Sequence, residues 1–248
     1  MKFIIVFLKR LAGILLLLAV LISGASVGFL YWITTPSGTG EISRQISKQV
    51  ARRVPGTRVV VKGVQFTKDF TVRLDAVRWD NETEGTILEL NQVVIRIDPQ
   101  QILKKRVRWQ LRADVDSLNL STLDQTIARG QWRARGFLEG TLRLEGEQRT
   151  LGPIALDLKS QGPGTLSAEI IARLAKMMPP QDAREELLAA IQGKPLFHFS
   201  VGKVRVTTGQ NGYQITFFLN GDHLLEFVIN VDKDLVGLLG TLWGGQSA

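Results

Sequence analysis

Hydrophobic residues recur at every second position along most of the chain after residue 70. This period places alternate side chains on one face of a β-strand, and residues with turn-forming side chains separate the segments. Strands are predicted near 70–77, 93–98, 107–116, 138–145, 154–158, 196–208, 213–220 and 224–232, with a turn at Gly152-Pro153. The sequence therefore predicts a mainly β protein with a few helices, whose curved and predominantly antiparallel sheet has one apolar face.

Helical spacing is confined to short stretches. Ile42, Ile46, Val50 and Val54 recur every four residues before Pro55-Gly56, which indicates an amphipathic helix. Its polar side could lie on lipid headgroups, or its apolar stripe could pack on the sheet. Further helices are predicted over 165–178, with Thr165 as N-cap, and over 182–191, and one helical turn is predicted over 98–105.

The N-terminal segment from Leu11 to Trp32 contains no charged residue. A helix needs about 20 apolar residues to cross a bilayer, so this segment is predicted to be a single transmembrane anchor. Lys2, Lys9 and Arg10 precede it, which favours a cytoplasmic amino terminus and a body on the far side of the membrane. The alternative is a signal peptide that is cleaved near Ser23-Gly24-Ala25.

These patterns divide the chain into three predicted regions. Residues 1–35 form the cytoplasmic tip and anchor, residues 36–160 form a membrane-proximal helix with a β-sheet region, and residues 161–248 form a helix pair with a C-terminal β meander. The apolar segment 235–243 is about half as long as a membrane span. It is predicted either to dock on the body or to touch the membrane surface.

Charge changes this picture mainly beside the anchor. The chain has a net charge of +8, and residues 41–112 contain 15 Lys or Arg against 8 Asp or Glu. A basic residue near an anionic membrane surface contributes about 1 kcal/mol to membrane binding. We therefore predict headgroup contacts, and no nucleic-acid partner, for the four basic residues that follow the anchor most closely, Arg44, Lys48, Arg52 and Arg53.

The inventory of catalytic side chains is small. The chain has no cysteine and two histidines, His198 in a predicted strand and His223 in a predicted turn. Asp114 and Asp116 share a strand face, but alternation with Val115 is typical of a solvated face. No phosphate-binding or dinucleotide-binding motif is present. We predict no enzyme activity, no metal and no cofactor.

The apolar strand face is the strongest candidate for a binding site. Few helices are available to cover this face, so it could form an open apolar groove for lipid, or it could be a closed core under those helices. Both interpretations stay open from the sequence. The residues predicted to line such a groove are Val72, Leu74, Val107, Trp109, Leu111, Leu142 and Leu144.

The order of these features resembles the AsmA-like proteins of bacterial envelopes, a group that includes TamB and YdbH. The resemblance lies in the anchor, the exit at Thr34 to Gly40, and two strand segments, Gly56 to Val61 and Leu88-Glu89-Leu90 with the following Ile95 to Pro99. The C-terminal part adds Gly164 to Ala168 and Ile229 to Asp232, which resemble the closing module of YdbH-type members.

The resemblance implies a location and a function. It implies an inner-membrane anchor, a periplasmic β groove with an apolar lining, and a part in phospholipid transport or homeostasis, without catalytic residues. Membrane lipid would be the ligand, and other envelope proteins or further copies of the chain would be partners, because this chain is much shorter than the large members. The alternative is a structural component of an envelope secretion system, similar to the N component of type II secretion.

Overall fold

A computed structural model describes residues 35–52, 54–67, 69–98, 108–147, 150–175, 182–209 and 212–232. Within these residues the chain forms four helices and ten strands. The helices are α1 (Pro36–Ala51), α2 (Leu120–Ala128), α3 (Ala168–Ala175) and α4 (Asp182–Ile191). The strands are β1 (Thr57–Thr67), β2 (Thr71–Asn81), β3 (Gly85–Ile97), β4 (Arg108–Asn119), β5 (Phe137–Glu147), β6 (Thr150–Ser160), β7 (Gly164–Ser167), β8 (Leu196–Thr208), β9 (Gly212–Gly221) and β10 (Leu224–Asp232).

All ten strands belong to one antiparallel sheet. Its order follows the chain from β1 to β6 and then continues with β8, β9 and β10. The short strand β7 extends the line of β6, because both strands pair with β8, at Thr165↔His198 and at Asp157↔Arg205 respectively. The prediction of a mainly β, antiparallel protein with a few helices is confirmed.

The apolar residues of the strands form one hydrophobic cluster that extends from α1 to β10. The alternation predicts this face well on most strands, and Val93, Ile95 and Ile97 of β3 are all buried. The second strand differs in part. Phe70 has a φ of 57° in the preceding turn and is 41% exposed. Within β2 the buried side chains lie at even positions first, Val72 and Leu74, and at odd positions further along, Val77 and Trp79.

Helix α1 packs along the first strand of the sheet. Thr35 caps it by accepting a hydrogen bond from the Gly38 amide at 3.2 Å. The apolar stripe predicted from the fourfold spacing is buried, with Ile46 fully excluded from solvent. The apolar stripe of α1 therefore packs on the sheet, as one of the two predicted alternatives proposed.

Two predicted boundaries are wrong. Gly152-Pro153 does not form a turn but lies inside β6, at a point where the register with β5 shifts between Leu144 and Gly146. Residues 165–167 are not helical, because Gly164–Ser167 pairs with β8 and α3 begins only at Ala168. Thr165 is therefore a strand residue, and its hydroxyl donates to the Arg133 carbonyl at 3.1 Å.

The structure contains a helix, α2, that is not among the predicted elements. Asn119 caps α2 by accepting hydrogen bonds from the Ser121 and Thr122 amides. The buried carboxylate of Asp124 then accepts from two backbone amides of the following loop, Trp132 N at 3.1 Å and Ala134 N at 3.0 Å. This single side chain fixes the path that leads from α2 into β5.

Several predictions fall outside the described residues. They are the anchor at 11–32 with its alternative cleavage site, most of the helical turn at 98–105, the end of the helix predicted over 165–178, and the apolar tail at 235–243. Among the residues that the structure describes, no helix is both long and apolar enough to cross a membrane. Helix α4 occupies the predicted range 182–191.

Candidate functional site

The apolar face is organised as rows of side chains that run across the strands. Backbone pairing aligns the residues of each row, so neighbours lie directly opposite each other on adjacent strands. One row crosses six strands and consists of Phe66, Val72, Ile95, Leu111, Leu144 and Ile154. A second crosses from β4 to β10 and consists of Ala113, Leu142, Leu156, Val206, Ile215 and Ile229.

The two rows overlap on β4 to β6 and together extend across the whole sheet. The path from β1 to β10 contains nine strands, and adjacent strands lie about 4.8 Å apart, so it spans roughly 38 Å along the sheet. Every side chain in both rows is a hydrocarbon, so the face is uniformly apolar along this length.

Six of the seven predicted lining residues lie on this face, and Val107 lies outside the described residues. Their exposed fractions are 0% for Val72, 1% for Leu74, 3% for Trp109, 2% for Leu111, 1% for Leu142 and 0% for Leu144. The sequence left open whether the face is an open groove or a closed core, and in this structure these side chains are packed. A ligand would reach them only after the packing opens.

Helix α1 carries the predicted basic residues on its solvent side. Arg44, Lys48 and Arg52 follow one another at intervals of four and are exposed, whereas Arg53 lies outside the described residues. Arg44 also pairs with Glu41 one turn earlier. A hydrogen bond from the Gln45 amide, together with this arginine, lowers the pKa of Glu41. The helix therefore has a basic stripe opposite its apolar stripe.

The outer face of the sheet carries further arginines that lack a carboxylate partner. Arg112 of β4 lies directly opposite Arg143 of β5, and both side chains are exposed. Neither forms an ion pair with a described residue. Like charges that face each other across a strand pair repel, so this pair is expected to destabilise the sheet slightly.

A polar cluster that was not predicted from the sequence lies where β1 begins and β2 ends. Asp80 is 4% exposed, and its carboxylate accepts from Arg78 Nε at 3.1 Å, Arg58 Nε at 3.4 Å and Thr86 Oγ1 at 3.0 Å. These residues line a cleft of about 400 Å³. Because Asp80 and Glu82, which also lines the cleft, together balance the two guanidinium charges, the cluster ties the hairpin together more readily than it would hold an anion. Only the register Arg58↔Asp80 brings it together, and no local signal indicates that pairing.

The two histidines lie near each other at the surface, although the sequence analysis treated them separately. His198 Nδ1 is 3.5 Å from Asp222 Oδ2, and His223 Nε2 is 3.2 Å from Lys194 Nζ. The hydrogen bond that the His198 backbone amide donates is the largest cause of the lowered pKa of Asp222, and the His198 side chain adds to it. The described residues contain no group of three or more metal-ligating side chains.

Comparison with known proteins does not extend this description. Neither a protein-family model, nor a curated protein, nor a solved structure matches the chain. The resemblance to AsmA-like proteins therefore stands on the sequence features alone.

Proposed function

We propose that this chain is a non-enzymatic protein of the bacterial envelope that binds a phospholipid acyl chain along its apolar sheet face. In this proposal residues 11–32 anchor it in the inner membrane, the body lies in the periplasm, and the protein takes part in phospholipid transport or homeostasis. The observation that carries the proposal is the one-sided hydrocarbon face, whose two overlapping rows together reach from β1 to β10.

Charge supports the same proposal at the membrane-proximal end. The basic stripe of α1 begins at Arg44, twelve residues after the predicted anchor ends at Trp32, so Arg44, Lys48 and Arg52 would lie near headgroups. In this proposal the phosphate of a phospholipid lies near the basic stripe and its acyl chain lies on the apolar face. Binding of this kind requires no catalytic residue.

The burial of the face sets a condition on this function. The six lining residues are at most 3% exposed, so a lipid would have to replace side-chain contacts as it enters. Both states would be apolar, which keeps the difference in hydrophobic free energy between them small. In this proposal the face opens to exchange lipid and closes when no lipid is bound.

Photocrosslinking in the intact envelope tests the proposal. Phe66 is half-buried against the hydrophobic cluster at the end of the first row, and Phe137 is 46% exposed on the opposite face of the sheet. We would replace each with p-benzoylphenylalanine in the full chain and irradiate cells whose phospholipids carry labelled phosphate. Labelled adducts should form at Phe66 and be near background at Phe137.

The burial also favours a second function, as a structural component of an envelope secretion system. A closed core has no lipid to bind, and its outer surface would then be the functional part. In that case Phe66 would give no labelled lipid, and the chain would purify in a stoichiometric complex with secretion proteins. Equal lipid labelling at Phe66 and Phe137 would also contradict the lipid-binding proposal, because it would show only general membrane contact.

A further inference from the structure

Strand β10 (Leu224–Asp232) is an edge strand of the sheet in the part of the chain that the structure describes. β10 pairs with β9 through nine consecutive residue pairs, from Leu224↔Asn220 to Asp232↔Gly212, without a bulge. Within the described residues no strand pairs with the other side of β10. The outward backbone groups along this side are therefore suited to pairing with an additional strand.

β10 has few of the features that usually protect a sheet edge. Natural edges carry charged residues, above all lysine, or a proline or a bulge that prevents another strand from adding. The segment Leu-Leu-Glu-Phe-Val-Ile-Asn-Val-Asp has no lysine, proline or bulge, and its two charged residues are Glu226 and Asp232. On its outer face Leu224 is 65% exposed and Val228 is 40% exposed. A regular, uncapped strand with exposed apolar side chains is suited to association.

The opposite edge of the sheet is closed. Helix α1 runs along β1, and the hydroxyl of Ser47 both accepts from the Val59 amide and donates to its carbonyl, each at 2.8 Å. Ser43 accepts from the Val61 amide at 3.0 Å. An additional strand could therefore join this sheet at β10 and not at β1.

We propose that β10 pairs with β10 of a second copy of this chain, antiparallel about a two-fold axis perpendicular to the sheet. A symmetric pair of this kind is closed at two copies, because the β1 edge of each copy is covered. The axis leaves both apolar faces on the same side, so the second row, which ends at Ile229, would continue into the apolar face of the second copy. This inference does not depend on lipid binding.

The strand sequence favours one register. With Val228 opposite its own copy, Glu226 faces Asn230 and Leu224 faces Asp232. No like charges then lie opposite each other, which is the arrangement that cross-strand pairing requires. Opposite residues of an antiparallel pair have Cα atoms about 4.5–5.5 Å apart, and this spacing falls within the range of disulfides.

A single cysteine tests the contact directly, because the natural chain has none. We would express the full chain with Val228→Cys, and with Val201→Cys as the control, in its membrane and apply a mild oxidant. Both valines are 40% exposed, but Val201 lies on β8, away from the edge. We expect most of the Val228→Cys chain to form a disulfide-linked homodimer, at least tenfold more than the control.

The outcomes separate the candidate occupants of the edge. Val228→Cys that crosslinks no more than Val201→Cys, or that crosslinks only to a different protein, would overturn the proposal. The failure of lipid labelling at Phe66 would leave it standing, because the two experiments measure different contacts.

A charge variant provides an independent measurement. Light scattering of the detergent-solubilised full chain should give a dimer for the natural protein and for Val201→Lys. Val228→Lys places two lysines opposite each other at the axis, so its dissociation constant should rise at least tenfold while its circular dichroism stays unchanged. A natural chain that is monomeric at micromolar concentration, or a Val228→Lys variant as dimeric as the natural chain, would contradict the pairing.

Discussion

The two edges of the sheet differ in how their backbone is satisfied. β1 lies under α1, which supplies both apolar packing and serine hydroxyls to the outward backbone groups of Val59 and Val61. β10 has regular pairing on one side and no described partner on the other. The helix that protects β1 follows the predicted anchor in the sequence, so in the proposed arrangement the protected edge would be the one nearer the membrane.

This difference shows that one short helix can perform three tasks. Along α1, Ile42, Ile46 and Val50 pack on the hydrophobic cluster. Ser43 and Ser47 contact the strand edge. Arg44, Lys48 and Arg52 are exposed to solvent. Each set repeats every four residues, so each forms one stripe. The β10 edge has no such helix, and its association depends on the strand alone.

The largest expected effect comes from releasing α1 from the sheet. Ile46 has no exposed surface, and truncating such a residue to alanine removes buried methylene groups and leaves a cavity. Ile46→Ala should lower the free energy of unfolding by about 2–5 kcal/mol. Urea denaturation of the full chain in detergent micelles, followed by circular dichroism, measures this loss.

The matched control for this variant is Gln49→Ala, because Gln49 lies on the exposed side of the same helix. Its free energy of unfolding should change by no more than about 0.5 kcal/mol. Equal losses for the two variants would mean that α1 does not stabilise the β1 edge by packing.

A smaller effect isolates the hydrogen bonds at the same edge. Ser47→Ala removes both hydrogen bonds to Val59 and leaves a buried amide without a partner, which costs about 1–3 kcal/mol. Since a 1.4 kcal/mol change alters an equilibrium tenfold, hydrogen exchange at the Val59 amide should accelerate about 5- to 150-fold.

Ser47→Thr keeps the hydroxyl and is the matched control for this experiment. It should restore most of the protection of the Val59 amide, although a β-branched residue is slightly less favourable in a helix. If Ser47→Ala and Ser47→Thr lost protection equally, the hydroxyl would not be the group that caps the strand.

Much of the fold could be predicted because the strands alternate regularly. The ranges 196–208 and 224–232 were predicted to the residue, since flanking turn residues mark their ends. The misplaced turn at Pro153 has a physical cause. β8 pairs with β6 only from Ala155 to Lys159, so the proline lies where that ladder is absent and its missing N–H costs nothing.

The other errors come from contacts that are distant in sequence. Leu166 fits a helical period with Ile170, but it pairs with Phe197 of β8, and no local pattern contains that information. Helix α2 is an exception, because its signals are local: Asn119 is a favourable cap, and Leu120, Leu123 and Ile127 have helical spacing. The composition of the candidate face could be predicted, but its burial depends on how distant elements pack together.

The smallest expected effect lies between the two edges, on the outer face of the central strands. Arg112 and Arg143 lie directly opposite each other, so Arg112→Glu would replace a repulsive cross-strand pair with an attractive one. The free energy of unfolding should rise by about 0.2–1 kcal/mol, and the gain should shrink in high salt. Urea denaturation at low and high salt measures this gain. Arg205→Glu is the contrasting variant: Arg205 already pairs with Asp157 at 2.8 Å, so this substitution should lower the free energy of unfolding. If Arg112→Glu lowered the free energy of unfolding, the Arg112–Arg143 pair would not be repulsive.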